Sequence, residues 1–112
     1  MKQHIFLLAL AAALTSAPQI ARAADAVPKF DIARNCKAEV ADGAGTGETL
    51  ASCTKDEEQA RNELADQWGQ FAREDKTVCI REASADGTPS YVELQTCIEM
   101  TTDNRARFKS KP

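Results

Sequence analysis

Histidine is the scarcest chemical resource in this 112-residue chain, and the only one is His4. It belongs to a short cationic start, Met1-Lys2-Gln3-His4, followed by an apolar run from Ile5 to Ala13. That run is too short to span a bilayer, and no stop-transfer pattern follows it. Ala21-Arg22-Ala23 then supplies the small-x-small pattern that signal peptidase reads. The expectation is a signal peptide over 1–23, a flexible leader over 24–28, a single domain over 29–108 and a tail over 109–112. Cleavage after Ala23 would leave 89 of the 112 residues and no histidine. Serine–histidine–aspartate and cysteine–histidine catalysis then have no base, and a histidine-bearing metal site has no ligand.

Other absences narrow the field. The cysteine spacings contain no C-x-x-C, which argues against zinc and thioredoxin-like redox chemistry. No cysteine lies near the cleavage point to carry a lipid anchor. Gly43-x-Gly45-x-Gly47 lacks the lysine and hydroxyl of a phosphate loop. Asp42 and Glu48 flank that loop without EF-hand spacing, so no metal is assigned. Positive charge is thin as well. Beyond the signal, 12 Lys and Arg face 17 Asp and Glu, a net charge of −5. Its one basic cluster is the tail, Arg105, Arg107, Lys109 and Lys111. Nucleic-acid binding is poorly supported, and no membrane contact is expected after cleavage. An acidic surface favours a basic partner. Strand periodicity is missing too: Tyr91-Val92-Glu93-Leu94 alternates briefly, then passes into helical spacing.

What the chain does have is helical periodicity and four cysteines, Cys36, Cys53, Cys79 and Cys97. Two breaks, Ala41 to Gly47 and Ala85 to Pro89, each lie midway between a cysteine pair. Residues equidistant from the turn of a helical hairpin face each other, so Cys36–Cys53 and Cys79–Cys97 are expected, one staple per hairpin. Export would place them in an oxidising compartment, where a small domain gains from such bonds. With every thiol oxidised, no cysteine nucleophile remains, and the chain reads as a non-enzyme without cofactors.

Pro28 is expected to open a first helix running to about Val40, with Ala33, Cys36, Lys37 and Val40 facing inward. The glycine-rich stretch after it is expected to be a mobile loop. Thr54 with Glu57 has the form of a capping box for a second helix continuing to about Val78. Its stripe is Ala60, Leu64, Trp68 and Phe71, continuing after a polar turn to Val78 and Cys79, with Gly69 falling mid-helix as the mark of a bend or close contact. On a continuous helix Cys53 and Cys79 would stand about 35–40 Å apart, beyond disulfide reach. Ser90 with Glu93 offers a second capping box for a third helix, whose inward face is Tyr91, Leu94, Cys97, Ile98 and Thr101. The expected fold is all-α: a disulfide-stapled bundle of about three helices in two consecutive hairpins, with Trp68 as the hub of the core.

The order of these features resembles a known family. Asn35-Cys36 lies in the first helix, and Cys53 opens an acidic helix up to Leu64. Trp68-Gly69-Gln70-Phe71, Arg73 and Cys79 follow, and Leu94-Gln95-Thr96-Cys97 leads through Thr101 to Arg105. This is similar to the small secreted LprI-type domain, a bacterial family linked to inhibition of lysozyme. The family's Asp-x-x-Leu-x-x-x-Tyr motif has only Arg61-x-x-Leu64-x-x-x-Trp68 as its counterpart, and Trp68 to Cys79 is about one turn longer. The resemblance implies a periplasmic or secreted binding protein that blocks a basic enzyme such as lysozyme. Contacts would fall on the two loops, whose acidic groups are Asp42, Glu48, Glu82 and Asp86. The alternative is a periplasmic stress or chaperone-like protein that binds clients through apolar helix faces.

Overall fold

A computed structural model describes residues 26–111; the expected signal peptide and the start of the leader lie outside them. The chain forms α1 (Ile32–Asp42), α2 (Leu50–Gln67), a 3-10 turn (Trp68–Gln70), α3 (Arg73–Ala83) and α4 (Tyr91–Lys109). The fold is an all-α bundle stapled by Cys36–Cys53 and Cys79–Cys97, the expected pairing.

It departs from expectation in helix number. The second helix is not continuous to Val78: the chain leaves α2 at Trp68, turns through Gly69 and Gln70, and extends at Phe71 and Ala72 before α3 begins. Trp68 and Phe71 remain edge to face, with ring centroids 6.2 Å apart, so the bend keeps both rings against the core. Gly69 has open space at its Cβ position, so the turn is not imposed by a close approach there.

The starts of the helices are corrected too. Asp31, not Pro28, precedes α1, its carboxylate accepting from the Arg34 N–H at 3.0 Å. The inward side of α1 is Asn35 and Cys36, while Ala33 and Lys37 are exposed. Val27 and Phe30 instead dock on the core, where Tyr91 Oη accepts from the Phe30 N–H and donates to the Pro28 carbonyl, both at 2.8 Å. The capping box of α2 is Thr49 with Ser52, one turn before Thr54. Gly45, Gly47 and Gly87 take positive φ in the loops, where other residues would be strained.

Leu64, Trp68, Tyr91, Leu94 and Ile98 are buried in one core with Ala60, Cys79 and Ala83, and Phe71 is half-buried at its edge. Val78, expected on the inward stripe, is exposed because the break after Trp68 resets the helical phase. Lys76 lies 5.2 Å over the Trp68 ring, and Arg105 pairs with the nearly buried Asp75 at 2.7 Å, tying the end of α4 to the start of α3. Partners between α2 and α4 advance together along both helices: Glu57 with Ser90 and Tyr91, then Glu63 with Gln95. These helices are therefore parallel neighbours, which puts both hairpin loops at the same end of the bundle.

Candidate functional site

The carboxylate of Glu57 organises that end. The residue is 1% exposed. It accepts from Ser90 Oγ at 2.5 Å, from the Tyr91 N–H at 2.7 Å and from the Val92 N–H at 3.4 Å. Backbone N–H groups at a helix start have no partner within the helix, and the helix dipole favours negative charge there. Glu57 thus caps α4 across the seam, and the capping role read for it in its own helix belongs to Ser52. Ser90 also caps α4 directly, accepting from the Glu93 N–H at 3.2 Å.

Above this contact lies a groove of about 330 Å³ between α1, α2 and the start of α4. Its walls carry Glu39, Glu48, Asp56, Glu57, Glu63 and Glu93, with no lysine or arginine among the lining residues. The electrostatics follow. Partial burial, then the charges of Asp86, Glu39 and Glu57, push the Glu93 carboxyl above its ordinary value. Glu63 moves the other way, lowered by hydrogen bonds from the side chains of Gln59 and Gln95 at 2.9 and 2.6 Å.

Of the four loop acids expected to meet a partner, Glu48 lines this groove. Asp86 accepts from the Thr88 N–H at 2.9 Å and acts on Glu93 through space. Glu82 stands on the α3 side, 3.3 Å from the sulfur of Cys97, and Asp42 is exposed at the end of α1 outside the groove. Glu39 and Glu63 carry no local signal in the sequence, where Glu93 reads only as the capping-box partner of Ser90. Glu39 and Glu63 are helix-face acids that look solvated until α2 and α4 are known to be parallel.

Glu39, Glu48 and Cys53 bring potential ligand atoms within 4.8 Å of one another. Cys53 is disulfide-bonded and offers no thiolate, so two carboxylates remain, too few for calcium's usual shell. Among the described residues no helix is long and apolar enough to cross a membrane. The chain matches no protein-family model, no curated protein and no solved structure.

Proposed function

We propose that this chain is an exported, non-enzymatic binding protein whose acidic groove takes a cationic segment of a basic partner protein. The observation that carries the reading is the convergence of six carboxylates on one concave surface without a lining cation. Bringing a guanidinium or ammonium group among them would relieve the repulsion that adds to burial in raising Glu93. Export to the periplasm or beyond is supported by the signal-like segment over 1–23 and by two disulfides, which persist in oxidising compartments. Lysozyme as the partner comes from the LprI-type resemblance and agrees in charge sign with the groove.

The test is inhibition of cell-wall lysis by lysozymes of several classes, with the oxidised protein in molar excess. Inhibition should weaken as salt rises, because steering between opposite charges is screened. The double variant Glu48→Gln/Glu93→Gln should slow association while leaving the helical circular dichroism unchanged. Undiminished lysis with every lysozyme removes that target. A groove that fails to retain basic proteins of any kind at low salt removes the whole reading.

A further inference from the structure

The seam between α2 and α4 does not end at the acidic groove. Past Glu63 and Gln95 it opens into a second groove of about 310 Å³, floored by the half-buried Phe71 with Leu64 and Ile98 buried behind it, and with Glu63, Glu99 and Asp103 as its acids. An apolar floor with a carboxylate rim fits a ligand that is apolar at its centre and cationic around it. The last turns of α4 have that composition, Arg105-Ala106-Arg107-Phe108-Lys109. Phe108 is 78% exposed, the most exposed large apolar side chain among the described residues. Arg105 is held by Asp75, whereas no described carboxylate pairs with Arg107 or Lys109.

The tail cannot reach the groove of its own chain. At about 100° per residue, Phe108 points roughly 150° around α4 from the face that lines the groove, and α4 is unbroken to Lys109. We propose that the groove receives the Phe108 turn of a second copy of this chain. Phe108 lies against the half-buried Phe71 ring, and Arg107 and Lys109 meet Glu99 and Asp103. The tail is one short helical segment, so the contact is small and the association weak and salt-sensitive.

The experiment follows the mass of the protein by sedimentation across a concentration series. The full chain is expressed and the protein recovered oxidised. Its average mass should rise with concentration at low salt and less so at high salt. Phe108→Asp and the double variant Glu99→Lys/Asp103→Lys should each weaken association by about tenfold or more. Mixed together, these variants should form a one-to-one complex and nothing larger, because one retains the groove and the other the tail. Circular dichroism confirms that both are folded. A monomer at every concentration overturns the proposal, as does association indifferent to Phe108→Asp or a mixture that stays monomeric. Tail-dependent binding of the monomer to anionic lipid vesicles would instead assign the tail to a membrane surface. None of these readouts involves lysozyme, and Glu99 and Asp103 lie outside the acidic groove, so this proposal and the previous one fail separately.

Discussion

Glu57 shows how much one side chain can hold. Its charge is withdrawn from water, a cost offset only by the donors that surround it, namely one hydroxyl and two backbone N–H groups. Glu57→Gln keeps the shape but removes the charge and turns an amide NH2 toward those donors. We expect a loss of about 1.5–3 kcal/mol, the range for hydrogen bonds to charged groups, read as a fall of several degrees or more in melting temperature. An unchanged melting temperature would show that the cap across the seam is dispensable. Glu93 makes the opposite prediction. Its folded carboxyl holds a proton above the ordinary 4.5, so the folded state binds that proton more tightly than the unfolded chain. The contribution of this group to stability therefore falls as pH rises from 4.5 through the raised value, and the penalty is complete above it. Glu93→Gln should melt higher than the parent near neutral pH and match it once pH drops below the carboxylate range. A difference of the same size at both ends would rule out this origin.

At the scale of elements, the segment between α2 and α3 explains what the sequence could and could not convey. Leu64, Trp68 and Phe71 keep helical spacing although Phe71 lies outside any helix, because the bent chain returns its ring to the same core. Periodicity therefore reads straight through the break, and the local hints are Gly69 and the polar turn after Phe71. The glycine-rich loops were legible because positive φ leaves a compositional mark, and with them the disulfide pairing. That pairing holds although the continuous helix used to exclude Cys53–Cys79 does not exist, since it rests on symmetry about the loops. The acidic groove was only partly legible. Glu48 lies in a loop and Glu93 in a capping-box pattern, whereas Glu39 and Glu63 acquire meaning only from a helix pairing that no local pattern encodes. The break also leaves α3 without a side-chain cap, its Ncap position being Ala72 at φ −63° and ψ 140°. A serine fits that conformation and can accept from the first turn, so Ala72→Ser should stabilise by about 1 kcal/mol. Chemical unfolding measures it, and a midpoint no higher than the parent's refutes it.

The whole molecule is two hairpins joined along one seam. The structure ties α1 to α2 and α3 to α4 by a disulfide each, while Glu57, the Glu63–Gln95 hydrogen bond and the core side chains hold α2 to α4. Each disulfide closes a loop of 17 or 18 residues, worth about 3 kcal/mol by loop entropy. Reducing both should therefore unfold a domain of this size or bring it near unfolding, as circular dichroism with and without reductant will tell.

The two bridged spans, 36–53 and 79–97, do not overlap, so no covalent bond other than the backbone crosses from 54 to 78. One cut between the exposed Gly69 and Gln70 would make this cross-linked protein two separate molecules, each still internally bridged. In denaturant and without reductant, such a nicked sample should run as two fragments. After the denaturant is removed, the oxidised halves should find each other through the seam alone. The chain is thus a ready-made complementation pair, and the affinity of its halves would measure directly what the α2–α4 contact is worth.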